Sequence, residues 1–295
     1  MRLSPTLLIV FPLSVVSFAA WAQDVQRGKR PADVPLETPS APNDIQGVAP
    51  MGDGFVFTDQ NNSAVWTVKP GEAAKIFARG EAWPRTPLYR PSAIAFEPGG
   101  RLVVTDPSTG GVIPIEADGK LVESKAPFEV GQTRGIAIDA SGNVFVAGST
   151  VDSVFKMTPD GKTTKLADVP HAWGVALLGD GSLVVAQPGH RTVSKVSADG
   201  KTVTPLHKGE PFQNPLWVAF DGESTIYVSD NYARAIFRLP LAGGTPTPLA
   251  GDFENPAGLW FERDKKRLLA ADAVARSIVA LTPDGKRETL YQAAK

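Results

Sequence analysis

The sequence has 295 residues, with 30 lysine and arginine residues, 31 aspartate and glutamate residues and a formal net charge of −1. This length can bury a substantial core in one large domain or two small ones, and the balanced charge argues against nucleic acid as a partner. The absence of cysteine excludes disulfides, thiolate metal sites, thiol catalysis and a cysteine-linked lipid anchor.

Residues 1–22 are typical of a secretory signal peptide. Arg2 gives a positive start, residues 7 to 20 are apolar apart from isolated serine and proline, and Ala20-Trp21-Ala22 forms a cleavage signal. We predict cleavage after Ala22, which leaves a periplasmic or secreted chain without a stable membrane span; an uncleaved anchor is the alternative. Residues 23–43 are rich in proline, lack apolar periodicity and predict a linker or a surface arm.

Six copies of one unit occupy residues 44–295. Each copy begins with a small apolar strand, and its first landmark recurs every 39 to 46 residues, at Gly47, Ala93, Gly135, Gly174, Trp217 and Gly258. A second landmark follows 12 to 14 residues later, at Asp59, Asp106, Gly148, Gln187, Asp230 and Asp272. An aspartate at a strand end can accept backbone N–H bonds from the following turn, so we interpret the recurring aspartates as structural rather than as a metal ring.

A third strand, an Asp-Gly turn such as 158–162 and a short fourth strand complete each unit. Four strands in about 40 residues is the spacing of a propeller blade. The sequence therefore predicts an all-β fold, a six-bladed β-propeller of four-stranded antiparallel blades. No exchanged strand is evident, so the ring would close by packing between the first and last blades.

Residues 134–162 and 217–239 resemble NHL repeats and, more broadly, the SMP-30/gluconolactonase, strictosidine-synthase-like and paraoxonase superfamily. The resemblance covers about residues 44–292. It implies the fold, whereas the same repeats serve both enzymes and binding scaffolds. Residues 57–68 also resemble streptogramin lyases, but those are similar to seven-bladed rings with a catalytic histidine, and no second base is evident beside His171 or His190.

For the SMP-30-like hydrolases, the resemblance implies a divalent metal held by Glu, Asn and Asp at the top of the channel, immediately before the inner-strand glycine. None of the matching residues here is a carboxylate: they are Gln46, Ser92, Arg134, Trp173, Leu216 and Ala257. Hard divalent ions prefer carboxylate oxygens, so no cofactor is favoured. Asp44 and Gln46 are the remaining candidates if a divalent cation binds.

The connectors between blades and the loops after each second strand share one face, called here the top face. Arg134, Trp173 and Trp217 lie at the channel entrance on this face, where a guanidinium beside aromatic rings can hold a carboxylate or phosphate. In the alternative interpretation the aromatic rings plug the channel and Arg134 pairs with Glu129 or Asp168.

Two further groups on the top face are candidate ligand-binding residues. His171 and His190 come from a connector and a loop of the fourth blade; the alternative is that both are ordinary surface histidines. The connector 80–91 adds Trp83, Tyr89 and Arg90, residue types that are favoured at recognition surfaces, unless it only packs over blade two.

The favoured hypothesis is an exported, non-catalytic NHL-like propeller that binds a small anionic or sugar-like ligand, or a protein partner, through its top face. The alternative is an SMP-30/gluconolactonase-like metal-dependent hydrolase of a lactone or ester. Phosphate-loop, serine-elbow, zinc-protease and Rossmann motifs are absent from the sequence.

Overall fold

The computed structural model describes residues 34–83, 86–122 and 130–294, apart from some side chains, and consists almost entirely of antiparallel sheets. The innermost strand of each sheet packs against that of the next, and the first sheet packs against the last. The prediction of a six-bladed β-propeller is therefore confirmed. The predicted signal peptide lies outside the described residues, among which no helix is long and apolar enough to cross a membrane.

The first three blades follow each other directly along the chain. Blade one contains the strands Ile45–Met51, Gly54–Asp59, Ala64–Val68 and Lys75–Arg79. Blade two contains Ile94–Phe96, Leu102–Asp106 and Gly111–Ile115, with a bridge from Ile115 to Leu121 in place of a described fourth strand. Blade three contains Thr133–Ile138, Val144–Gly148, Ser153–Met157 and Thr163–Asp168.

The last three blades each have four strands. Blade four contains Val175–Leu177, Leu183–Gln187, Thr192–Val196 and Val203–Lys208, with a 3-10 turn at Pro188–His190. Blade five contains Pro215–Phe220, Thr225–Asp230, Ala235–Pro240 and Thr247–Ala250. Blade six contains Pro256–Glu262, Arg267–Asp272, Ser277–Leu281 and Arg287–Gln292.

The ring closes through side-chain packing. Every blade is built from consecutive strands, so the described chain has no strand exchanged between the first and last blades. Phe57 of blade one and Tyr291 of blade six pack with their ring centroids 5.5 Å apart. Outside the blades, Val34–Pro35 pairs with Ala82–Trp83, which places part of the 23–43 segment beside the first connector.

The recurring aspartates join each connector to its own blade. Each carboxylate accepts backbone N–H bonds from the connector that precedes the blade, with donor pairs Asn43 and Asp44, Tyr89 and Arg90, Gln213 and Asn214, and Glu254 and Asn255. In blade two the same Asp106 also accepts the N–H groups of Ser108 and Thr109 in its own loop. The structural interpretation of these aspartates is confirmed.

The recurring glycine permits contact between neighbouring inner strands. A Cβ atom on Gly47, Gly135, Gly174 or Gly258 would lie 2.3 to 2.6 Å from a carbonyl oxygen of an adjacent blade. No side chain fits at that distance, so the inner strands approach each other through bare backbone.

Hydrogen bonds across this contact fix the two residues at the channel entrance. In blade two the Thr105 hydroxyl donates to the Arg134 carbonyl at 2.6 Å. Blade three carries alanine at the threonine position. There the Gly135 N–H donates directly to the Trp173 carbonyl at 2.7 Å. The backbones of Arg134 and Trp173 are therefore held to adjacent blades.

Candidate functional site

A guanidinium stacks on an indole ring at the channel entrance. The Cζ atom of Arg134 lies 4.1 Å from the centroid of the Trp173 ring. The two residues come from the starts of the inner strands of blades three and four, whose close approach brings the side chains together. The predicted proximity of Arg134 and Trp173 is confirmed, and the geometry is that of a cation–π pair.

The Arg134 cation has no carboxylate partner among the described residues. Its Nη2 donates to the Gln132 side-chain oxygen at 3.2 Å, while its buried Nε has no hydrogen-bond partner there. Asp168, one predicted partner, instead pairs with Lys165 at 2.7 Å. Glu129, the other, lies outside the described residues. Burial, with a smaller contribution from the nearby Arg90 charge, lowers the pKa of Arg134 to about 10.

Trp173 also presents a buried donor. Its indole Nε1 has no hydrogen-bond partner in the part of the chain that the structure describes. Buried polar groups are normally satisfied, and unsatisfied donors destabilise the fold by about 1 to 3 kcal/mol each. Together, Arg134 and Trp173 place a positive charge at the channel entrance, with two buried N–H donors that have no partner among the described residues.

A second guanidinium and one carboxylate complete what we call the top mouth: Asp44, Gln46, Arg90, Arg134 and Trp173. Arg90 is exposed and donates through Nη2 to the Gln60 side-chain oxygen at 2.8 Å. Asp44 accepts a 2.6 Å bond from Gln46 Nε2. Burial raises the pKa of Asp44, although the Gln46 bond and the Arg90 charge oppose the shift.

The residues of the top mouth do not fit the divalent metal that the SMP-30 resemblance implies. They provide one carboxylate, already bonded to Gln46, beside two guanidinium groups. A hard divalent cation needs several oxygen ligands with negative charge. Among the described residues there is also no group of three or more histidine, aspartate or glutamate side chains placed to hold a metal ion.

Trp217 lies deeper than its two predicted companions. Its side chain is 6% exposed and belongs to the core cluster against which Trp173 packs. Its backbone N–H donates to the Ser229 hydroxyl at 3.3 Å. Trp217 therefore supports Trp173 and offers little surface to a ligand, which matches the plugging role considered for the aromatic residues.

The connector 80–91 is fixed to the ring at its C-terminal end. Tyr89 donates its N–H to Asp106, and its carbonyl accepts a bond from the Ser63 hydroxyl at 2.6 Å. The tyrosine is half-buried, whereas the neighbouring Arg90 is exposed at the mouth. Trp83 pairs through its backbone with Val34, and its side chain lies outside the described part of the structure.

The two histidines of blade four lie in direct contact. The ring centroids of His171 and His190 are 5.0 Å apart, with the ring planes inclined at 59°, and both residues are exposed. The sequence predicted a shared face for them but not this contact. The repeat pattern could have predicted this contact. In the blades that carry it, the recurring aspartate at the end of the second strand binds the preceding connector, and His190 and His171 occupy the corresponding two segments of blade four.

A cavity at the opposite end of the channel was not predicted. Its volume is about 700 Å³, and it is lined by inner-strand residues beyond the glycine contacts, mainly Ile94, Ile136, Val175, Val218, Leu259 and Trp260. The buried Glu262 at its edge is already paired with Lys265 and Arg267. Cavities of this size often bind ligands, but none of the buried polar atoms that lack a partner among the described residues belongs to its lining, whereas two of them lie in the top mouth.

No protein-family model matches the sequence, and no curated protein matches it. Solved structures share the fold at low identity. The structure of virginiamycin B lyase from Staphylococcus aureus has 14% identity and a TM-score of 0.65, covering 88% of this chain and 87% of the lyase chain.

Two other solved structures are similar to this chain. A chain in the nidogen/laminin complex has 18% identity and a TM-score of 0.70, covering 81% of this chain and 94% of its own. A putative gluconolactonase has 15% identity and a TM-score of 0.65, covering 89% and 93%. At these identities the comparisons establish the propeller fold, and the function has to be argued from the residues of the site.

Proposed function

We propose that this chain is an exported, non-catalytic propeller that binds a small anionic, sugar-like ligand through the top mouth. The observation that carries the proposal is the half-buried Arg134 guanidinium, which stacks on Trp173, has a buried Nε without a hydrogen-bond partner and has no carboxylate partner among the described residues. A partly buried charge without a counter-ion is unfavourable, so an anion that pairs with it gains a strong, directional interaction.

The surrounding groups favour a carboxylate on a polyhydroxylated carbon chain. Arg134 and Arg90 supply the positive charge, and the planar guanidinium of Arg134 suits a carboxylate. Asp44 and Gln46 supply hydrogen-bonding groups for hydroxyls, while the Trp173 ring offers an apolar face for carbon-bound hydrogens. A protein partner that presents an aspartate or glutamate side chain would use the same charged groups.

The alternative function, a metal-dependent hydrolase of a lactone or ester, has less support. Hydrolysis of this kind needs a metal-activated water, and the metal needs carboxylate ligands. The top mouth has two guanidinium groups and only one carboxylate. A bound anion suits these side chains better than a bound cation does.

The test is calorimetric titration of the mature protein with D-gluconate, inorganic phosphate and neutral D-glucose. We expect gluconate to bind and Arg134→Gln to weaken its affinity about 10- to 100-fold, the loss of a charge-assisted pair. Arg101→Gln is the matched control, because Arg101 is paired with Glu97 and Glu116 on blade two, outside the top mouth. Equal affinity in the wild type and Arg134→Gln, or no binding of either anion at about 1 mM, would refute the proposal.

Export is tested separately by N-terminal sequencing of the protein from a bacterial periplasm or culture medium. The expected mature chain begins at Gln23, the residue after the predicted cleavage signal. Recovery of a cytoplasmic chain that retains Met1 would contradict the export part of the proposal and leave the ligand site unaffected.

A further inference from the structure

We propose that the contacting imidazoles of His171 and His190 form a binding site for a transition-metal ion of the Ni²⁺, Cu²⁺ or Zn²⁺ class. Imidazole is a favoured ligand for all three ions. The ring centroids are 5.0 Å apart, and both side chains are exposed, so solvent can supply the remaining ligands. This site is independent of the anion site proposed for the top mouth.

The ring separation suits a shared metal ion. A metal–nitrogen bond of about 2.0 to 2.1 Å places the centre of an imidazole roughly 3.2 Å from the ion. Two such rings at a tetrahedral angle have centres about 5 Å apart. The separation of His171 and His190 in the structure has this value.

The backbone around His171 is fixed in an unusual conformation. Its φ angle is +54°, in the left-handed region that non-glycine residues seldom adopt. The His171 N–H donates to Asp152 Oδ1 at 2.7 Å, and the carbonyl of the preceding Pro170 accepts a 2.9 Å bond from Gln187 Nε2. Neighbouring segments on both sides thus hold the connector in the position that directs His171 toward His190.

Gly189 provides the space for this contact. A Cβ atom at this position would lie 2.9 Å from Cγ and Nδ1 of the His171 ring. Gly189 is not among the glycines with positive φ, so its backbone conformation does not itself require glycine. The absence of a side chain therefore serves the approach of the His171 ring.

The charged groups beside the pair do not oppose a cation. Arg191, next to His190, directs its guanidinium to the Phe212 carbonyl and the Glu210 carboxylate. The Asp152 carboxylate lies next to the backbone of His171 and favours positive charge nearby. A divalent ion bound by the two imidazoles would therefore lie beside a guanidinium that is already paired, with the Asp152 carboxylate at the backbone of His171.

The chain offers a matched control in its third histidine. His207 has Nδ1 2.9 Å from the Gly244 carbonyl oxygen and Nε2 2.6 Å from the Glu210 carbonyl oxygen. Both of its ring nitrogens lie against backbone carbonyl oxygens, so neither is accessible to an added metal ion. His207→Gln should leave metal affinity unchanged.

The experiment titrates Ni²⁺ into the tag-free mature protein by calorimetry and compares His171→Asn, His190→Gln, Gly189→Ala and His207→Gln. Asparagine is chosen at 171 because it tolerates the left-handed backbone. Even the loss of an outer-shell partner weakens metal binding about 10- to 100-fold, so each histidine variant should lose about tenfold or more. Gly189→Ala keeps both histidines and should also bind more weakly, since the added Cβ displaces one ring.

A second readout uses Cu²⁺ and electron paramagnetic resonance. We expect nitrogen hyperfine coupling from two imidazoles in the wild type and from fewer in His190→Gln, an exposed loop substitution that preserves the fold. The proposal is overturned if His171→Asn and His190→Gln bind Ni²⁺ as tightly as the wild type. It is also overturned if His207→Gln loses as much affinity as they do. Arg134→Gln should retain Ni²⁺ binding, which separates this proposal from the anion site.

Discussion

The Arg134 guanidinium lies over the Trp173 indole at 4.1 Å, and a buried N–H of each side chain lacks a partner in the described part of the chain. This relationship joins two adjacent blades at the channel entrance. Replacing Arg134 and Trp173 one at a time measures how much each side chain contributes to ligand binding.

Replacing the indole should weaken anion binding less than removing the charge does. The Trp173 ring positions the Arg134 guanidinium and offers an aromatic face to the carbon-bound hydrogens of the ligand, so Trp173→Leu should lower gluconate affinity about 2- to 10-fold. Trp173→Phe retains an aromatic face and should lose less. Calorimetry on both variants checks the order, and a Trp173→Leu variant with wild-type affinity would show that the ring has no part in binding.

Removing the Arg134 charge should stabilise the protein without ligand. The folded-state pKa of Arg134, about 10, lies below the ordinary value of an arginine, which means that folding disfavours the charged form. This penalty is fully present below about pH 10 and declines as the pH rises through the folded-state pKa toward the ordinary arginine value. Arg134→Met, which can still pack on Trp173, should therefore raise the free energy of unfolding at neutral pH by about 1 kcal/mol.

Urea unfolding at pH 7 measures this change. Arg101→Met is the control, since Arg101 is paired with two glutamates and its loss should not stabilise the fold. A lower unfolding free energy for Arg134→Met than for the wild type would mean that the guanidinium already has a favourable partner.

A side chain at Gly135, where blades three and four are in contact, should destabilise the fold. A Cβ atom on Gly135 would lie 2.4 Å from the Trp173 carbonyl oxygen, so Gly135→Ala should destabilise the fold by about 1 to 3 kcal/mol. Gly179→Ala is the control, because its Cβ would meet nothing within 4 Å. Thermal unfolding of both variants tests the contact, and equal melting temperatures would argue against it.

In blade five, the aspartate that joins the connector to the blade should contribute strongly to the free energy of unfolding. Asp230 is fully buried and accepts N–H bonds from Gln213, Asn214 and Ala233. Asp230→Ala leaves these donors unsatisfied and should destabilise the fold by about 2 to 4 kcal/mol. The exposed Asp264→Ala should change stability by less than about 0.5 kcal/mol. Similar denaturation midpoints for the two variants would contradict the proposed role.

The six-bladed ring could be predicted from the sequence because each blade needs the same residue types at the same backbone positions. The recurring glycine marks a contact that admits no Cβ, and the recurring aspartate marks a set of N–H donors. Blade four has Gln187 in place of the recurring aspartate. Its side-chain amide donates a hydrogen bond to the Pro170 carbonyl, whereas the aspartates accept hydrogen bonds from their connectors. A local pattern can reveal such positions when the same chemistry is repeated along the chain.

The site was only partly predictable. The positions of Arg134 and Trp173 in adjacent units predicted their proximity, whereas the missing partner for Arg134 depends on how the surrounding connectors fold. The His171–His190 contact depends on distances across loops, and the cavity at the opposite end of the channel depends on distances across the ring. No single stretch of sequence contains such distances, since they arise from six blades packing together.

The most direct test of the anion site is a crystal structure of the mature protein grown with D-gluconate. We expect a carboxylate of gluconate within hydrogen-bonding distance of the Arg134 guanidinium, with the carbon chain against the Trp173 ring. A guanidinium paired with a carboxylate of the protein itself, such as that of Glu129, and no gluconate in the top mouth would contradict it.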